Sequence, residues 1–292
     1  MPKFSKMSSA EVMALVRTIG NKEKDLKLKA GDHLAELFIP LPFRFLLNFS
    51  SIRNSLKKSY AKKIPGGFPY IIAKSRAIDD MLVTALSNSD IKQLVFLGAG
   101  YDTRAYRYKA LLTDTHIFEI DHPEIIERKK ALVKKQKLAQ ENLTYCAADF
   151  DEGKDEFNLD WLAKQGIKQD EKTVFIIDGV SYFISSSAFD NVLNIITQFN
   201  SGSELIFDYA YQEILEGKPY RGSEEFKASL KKMGEPVVNG IQENGIHSHL
   251  KRFNLNILSL LKPLDIEKRY LTSSNGQTYP PYGFLDIVHA KI

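Results

Sequence analysis

The sequence predicts a doubly wound α/β fold: a seven-stranded sheet, mostly parallel with one antiparallel strand, carrying an N-terminal helical cap. From residue 91 onward, short apolar runs alternate with helix-like segments, the pattern of a parallel sheet covered on both faces. The first run passes directly into a glycine turn, LVFLGAGYDTRAYRY at 94 to 108. Four successive runs end in acidic or glycine-rich sequence, at the one sheet edge where such a fold binds ligands.

The elements follow in order. Strands are expected at 93–97, 116–120, 143–148, 173–178 and 203–209, with helices at 103–112, 123–139, 157–165 and 186–199 between them. Helical linkers make these five strands parallel neighbours with right-handed crossovers. Two more strands, 264–271 and 284–291, are joined by the turn-rich SSNGQTYPPYGF without a helix, so an antiparallel hairpin at one edge is expected. The first 90 residues lack the alternation and read as helices at 9–20, 43–58 and 72–87, with loops at 21–32 and around PGGFP at 65–69. One domain over 1–292 is expected: a helical cap (1–90), a cofactor-binding core (91–210), a lid-like insertion rich in glycine (211–251), and a final helix with the closing strand hairpin (252–292).

Composition narrows the class. With 43% hydrophobic and 26% charged residues the chain reads as an ordinary globular protein. Forty basic against 36 acidic residues give +4, too slight a surplus to imply nucleic acid. The lysines of KKSYAKK and KKALVKKQK are interleaved with apolar residues, as on solvated helix faces. A single cysteine, Cys146, in an apolar strand-like run, allows no internal disulfide and suits a reducing compartment. MPKFSKMSSAEVM carries no secretory signal pattern, so a cytoplasmic location is expected. The stretch LFIPLPFRFLLNF is too short to span a bilayer and is interrupted by Pro40, Pro42 and Arg44; core or pocket wall is expected there, without membrane contact. The sequence leaves the oligomeric state open.

Gly98 and Gly100 can take backbone conformations closed to other residues and let a ligand lie against the chain, with Ala99 between them. The third glycine of a dinucleotide fingerprint is replaced by Thr103, so a ligand without a pyrophosphate fits better, and S-adenosylmethionine is one. Asp121, 21 residues beyond Gly100, stands where an acid reaches a ribose hydroxyl, with His122 next to it. Asp149 and Phe150 follow the third strand, and Asp178 ends the fourth. Asp is also a common turn former and helix cap, and Asp102 and Asp149 suit that role.

The run LGAGYDTRAYR, with FEIDHP, AADF, DGVSYFI and SRAIDDML, resembles the leucine carboxyl methyltransferase family, and most closely its bacterial branch of S-adenosylmethionine-dependent O-methyltransferases. The resemblance extends from about Glu11 to the C-terminus. It implies a Rossmann-like methyltransferase sheet with S-adenosylmethionine as cofactor. By position it implies that Arg17 and Arg76 bind the methionine carboxylate, that Gly98 and Gly100 lie beside the methionine, that Asp121 takes the ribose, and that Asp149 and Phe150 contact the adenine. Where the family usually has glutamate after the fourth strand, this chain has Asp178.

The expected reaction is an in-line displacement on the sulfonium methyl, which depends on alignment more than on side-chain chemistry. A carboxylate acceptor needs no base, whereas a hydroxyl does. His122, Tyr182, His247 and His249 are candidates, none of them singled out, and no metal-ligand spacing appears. The expected partner is a small, partly apolar methyl acceptor, enclosed by 211–251, the loop bearing Tyr279 and Tyr282, and Phe43, Phe45 and Leu46 of the cap. Two alternatives stay open: a nicotinamide-dependent oxidoreductase, and a catalytically silent binding protein.

Overall fold

In the computed structural model, residues 7–88, 90–150 and 157–292 are described. The N-terminal cap comprises α1 (Ser9–Asn21), α2 (Leu41–Leu46), α3 (Ser50–Lys63) and α4 (Gly67–Asn88). A capping box starts α1, with Glu11 N–H donating to Ser8 Oγ and Ser8 N–H to the Glu11 carboxylate. The single helix expected over 43–58 is two helices. At the break, Arg53 donates to the carbonyls of Leu47 (2.6 Å) and Asn48 (2.9 Å), so a side chain satisfies groups that a continuing helix would have used.

The sheet then builds from β1 (Gln93–Leu97), α5 (Arg104–Arg107), β2 (His116–Asp121), α6 (Pro123–Lys135), β3 (Leu143–Ala147), α7 (Leu159–Lys164), β4 (Thr173–Ile177), α8 (Ser186–Ile196) and β5 (Glu204–Ala210). The chain continues through α9 (Ser223–Met233), α10 (Ile246–Lys251), β6 (Asn256–Leu261), α11 (Pro263–Tyr270) and β7 (Leu285–Lys291). The seven strands lie in the order β3-β2-β1-β4-β5-β7-β6. Strands β1 to β5 are mutually parallel, and β7 is reversed between β5 and β6. Every residue of β1, β4 and β5 is buried, which explains why these strands read as continuous apolar runs rather than alternations. From β1 the chain moves outward on one side to β2 and β3, then crosses back to β4 on the other. That reversal opens a crevice at the carboxyl ends of β1 and β4.

The strand expected at 264–271 is a helix, α11, and the sixth strand is β6. In PLDIEKRY the buried residues are Ile266 and Tyr270, four apart as on one helix face, and Asp265 caps the helix start by accepting from Lys262 N–H (3.1 Å). The antiparallel pairing at the edge is present, but α11 and a loop link its strands, so the expected hairpin and final helix exchange places. The segment 271–284 still enters β7 at the carboxyl edge, since Leu285 pairs with Ala210 at the end of β5. Helix α4 packs along β5 and β7 and is flanked by α1 and α11, which lays one of its faces over the crevice.

Candidate functional site

The turn after β1 is shaped by β2. Gly98 (φ +79°) and Gly100 (φ +44°) both take positive φ. A Cβ on Gly98 would stand 2.2 Å from Val180 Cγ2, so neither the backbone angle nor the space admits a side chain. Gly98 and Ala99 donate to the Ile120 carbonyl at 2.8 and 3.0 Å. The Asp121 carboxylate accepts Gly100 N–H (2.6 Å) and His122 N–H (2.7 Å), which bends β2 into α6. Burial raises the Asp121 pKa, against the opposing effect of these two donors.

Beside the turn lies a dense charge cluster. Lys74 Nζ, on α4, sits 2.8 Å from Asp178 and 2.9 Å from Asp208, joining the ends of β4 and β5. Burial alone would lower the Lys74 pKa; the two carboxylates outweigh it and hold the ammonium charged. For Asp178, burial is likewise outweighed by Lys74 and Arg104, which keep its carboxyl well below the usual range. Buried Arg104 binds Asp79 (2.7 Å), Asp178 (3.0 Å) and Asp102. Arg107 binds Asp79 as well, through Nη1 at 2.7 Å and Nη2 at 2.9 Å.

Arg17 reaches over from α1. Its Nε lies 2.8 Å from Asp32 and its Nη2 donates to the Tyr101 carbonyl at 2.7 Å. Arg17, Asp32, Ser75, Asp102, Thr103, Arg104, Arg107 and Asp178 line a small cavity. Ser75 Oγ is buried there without a hydrogen-bond partner among the described residues, an open position for a polar ligand group.

The structure therefore brings Arg17, Gly98, Ala99, Gly100, Asp121 and Asp178 to one edge. Arg76 does not join them. Its guanidinium donates to the carbonyls of Lys27 and Tyr270 (3.1 Å) and lies over the Tyr270 ring, on the α11 side of α4. Lys74, two residues earlier, takes the crevice face. His122 is the exposed residue preceding α6. Asp149 and Phe150 follow β3, both half-buried, with the Phe150 ring edge-on to Phe157 at 5.0 Å. The sequence reading passed over Lys74, Asp79, Asp32 and Asp208. A signal for Lys74 was present: Ile78 and Leu82, at four-residue steps from it, are wholly buried, whereas Asp80, four beyond Arg76, is exposed.

On the β5 side of Lys74 the wall is aromatic. Tyr282 packs on Tyr70 (5.5 Å), Phe226 (5.1 Å) and Phe284 (5.1 Å), and Phe226 meets Tyr182 at 5.7 Å. The insertion, through Phe226 of α9, and the 271–284 loop, through Tyr282, thus meet beside the charge cluster. Phe45 is 66% exposed and Tyr279 is 37% exposed, so these two of the expected wall residues face outward. His249 packs against Phe189 and lies 3.5 Å from Asp190 of α8. Among the described residues no helix is long and apolar enough to cross a membrane.

Comparison with known proteins places this architecture. A model of the leucine carboxyl methyltransferase family matches residues 10–197. YktD of Bacillus subtilis, named as an S-adenosyl-L-methionine-dependent methyltransferase, is 30% identical over 207 residues, covering 68% of this chain and 65% of that protein. A protein of Mycolicibacterium gilvum named for the same activity is 32% identical over 152 residues, 50% of this chain and 48% of its own length. The chain thus spans about two thirds of the first relative and half of the second. The structure of a protein named as a methyltransferase from Thermobifida fusca aligns with a TM-score of 0.58 at 15% identity, over 99% of this chain and 96% of that one. A DUF574 family protein from Streptomyces avermitilis aligns with a TM-score of 0.54 at 11% identity, over 96% of each chain. At such identities the structural likeness establishes the fold, a Rossmann-like methyltransferase sheet, and the sequence match establishes the lineage: the chain belongs to the leucine carboxyl methyltransferase family.

Proposed function

We propose that this chain transfers the methyl group of S-adenosylmethionine to an oxygen of a small, partly apolar acceptor. The observation that carries this reading is the turn itself: two glycines at positive φ, the first with no room for a Cβ, fixed by β2, with the Asp121 carboxylate beside them. Buried Ser75 Oγ, unpartnered among the described residues in the adjoining cavity, fits a ligand with a polar end at that place. In this reading Asp121 takes the ribose hydroxyls, Asp149 and Phe150 flank the adenine, and the methionine lies along Gly98–Gly100. Arg17 and Lys74 supply positive charge for its carboxylate. The bound cofactor supplies the activated methyl; the protein supplies alignment and a dry wall.

Two features favour this reading over a nicotinamide enzyme. Thr103, in place of the third glycine, is buried and its hydroxyl donates to Asp32 at 2.7 Å. The start of α5 is already occupied by a carboxylate, Asp102, which accepts Arg104 N–H at 2.7 Å. A diphosphate would meet negative charge where a dinucleotide fold offers free N–H groups.

The acceptor side favours a group that arrives ionised. Burial, the largest cause, raises the pKa of Tyr70, Tyr182 and Tyr282, so these hydroxyls stay protonated and act as donors rather than bases. The carboxylates beside these rings are engaged as well, Asp208 by Tyr70 and Lys74 and Asp178 by Lys74 and Arg104. A carboxylate acceptor needs no base. Incubation with methyl-labelled cofactor and a panel of aromatic and aliphatic acids and phenols tests this. Base-labile ester label is expected; label only in ethers would reject the carboxylate, and no S-adenosylhomocysteine release with any acceptor would favour a silent binding protein.

A further inference from the structure

Three consecutive residues of β2 grip the glycine turn. The Ile120 carbonyl holds the N–H groups of Gly98 and Ala99, and the Asp121 carboxylate holds that of Gly100. Glu119 acts through an intermediary: its Oε2 lies 2.8 Å from Lys129 Nζ of α6, with both side chains wholly enclosed. Lys129 Nζ in turn lies 3.4 Å from the Ala99 carbonyl, which also accepts Asp102 N–H at 2.8 Å. The ammonium stands 5.9 Å from the centre of the Tyr106 ring, whose hydroxyl is 3.5 Å from Glu119 and 2.8 Å from Tyr145 Oη.

An ion pair buried this deeply is a poor device for stability. Desolvation offsets the attraction, and an apolar pair of similar volume commonly serves as well. Glu119 Oε1 is moreover buried without a partner among the described residues, so the pair is not arranged for maximal satisfaction. An apolar pair could not hold the Ala99 carbonyl. That carbonyl belongs to the peptide linking Ala99 to Gly100, whose N–H is held by Asp121 and whose oxygen already accepts Asp102 N–H, so Lys129 brings, among the described residues, the one cationic contact to a peptide gripped from both ends. The ammonium adds a charged contact to that carbonyl, and Glu119 holds the ammonium in place.

We propose that Lys129 and Glu119 are positioning residues for the cofactor: the ammonium, oriented by Glu119, sets the Ala99–Gly100 peptide so that the turn fits the methionine end of S-adenosylmethionine. This rests on the reading that the cofactor lies against that turn. The test uses the full chain, thermal melting, and calorimetric titration with S-adenosylhomocysteine on Lys129→Met, the double variant Glu119→Leu with Lys129→Met, and Asp121→Ala. The double variant is expected to melt at or above the wild-type midpoint while its affinity falls on the order of tenfold, the effect of losing one charge-assisted contact. Lys129→Met should show the same loss of affinity if it folds. Unchanged affinity in a folded double variant overturns the proposal, provided Asp121→Ala binds weakly. If Asp121→Ala also binds normally, the cofactor placement is what fails. If neither Lys129 variant folds, the pair is a folding element and the positioning role is rejected.

Discussion

Lys74 and Arg76 stand two positions apart on α4, and the difference of about 200° around the helix decides their roles. Lys74 is 4% exposed and joins two strand ends; Arg76 ties α4 to α11 and the 3-10 turn at Leu26–Leu28. Replacing Lys74 by Met should leave Asp178 and Asp208 buried without their shared cation, a loss of about 3 to 5 kcal/mol. Urea unfolding checks that figure. Arg76→Ala should leave S-adenosylhomocysteine affinity unchanged in titration, and a marked loss would restore Arg76 to the site. Glu119 adds a pH dependence. Burial, opposed by Lys129 and Tyr106 and reinforced by Asp102, pushes it up to about 7 from an ordinary 4.5, with Tyr145 also facing the cluster. The folded pKa exceeds the unfolded one, so its contribution to stability is complete below about 4.5 and drains away as pH rises to about 7. Between pH 5 and pH 8 the melting midpoint of Glu119→Gln should therefore rise relative to wild type; a constant difference would mean Glu119 does not titrate in that window.

At the scale of elements, legibility followed burial. The central strands β1, β4 and β5 are enclosed on both faces and stood out as apolar runs, and the glycine turn with Asp121 could be placed from spacing alone. At the sheet edge the signal failed. The pattern of β6, NILSLL, is mostly half-exposed and its apolar residues do not alternate cleanly, while PLDIEKRY, with Ile266 and Tyr270 four apart, reads equally as a short strand or one helix face. The charge cluster was hidden for another reason: Asp32, Asp79 and Asp208 come from a loop, a helix and a strand, and only tertiary packing shows that their partners are Arg17, Arg104, Arg107 and Lys74. The insertion reads from sequence as lid-like, and in the structure α9 sends Phe226 and Leu230 into the core and Ile241 bridges to Tyr211. Phe226→Ala should accordingly cost about 3 to 5 kcal/mol through the cavity it leaves among Tyr182, Tyr282 and Phe284. It should also impair methyl transfer, because the same rings wall the proposed acceptor side. A variant with wild-type stability would show that α9 is held loosely after all.

For the whole molecule, one side chain reports on global opening. Cys146, the single cysteine, lies in β3 with 1% exposure, and burial pushes its thiol up to about 11. The thiolate is the reactive form, so a disulfide reagent near neutral pH should find the folded protein inert. Cys146 pairs with Ile120 across the β2–β3 ladder, one residue from Asp121, so exposing it requires the ladder that carries the proposed cofactor site to come apart. Labelling should then proceed through unfolding, at a rate set by the population of the open state when reclosing is fast. A ligand bound only by the folded state lowers that population: S-adenosylhomocysteine at 100 times its dissociation constant contributes about 2.7 kcal/mol, and should slow labelling roughly 100-fold. The expected result is slow modification in buffer, prompt modification in urea, and protection by S-adenosylhomocysteine that disappears in Asp121→Ala. Rapid labelling of the native protein would mean that β3 frays independently of the sheet. Protection that persisted undiminished in Asp121→Ala would move the cofactor away from the turn that β2 holds.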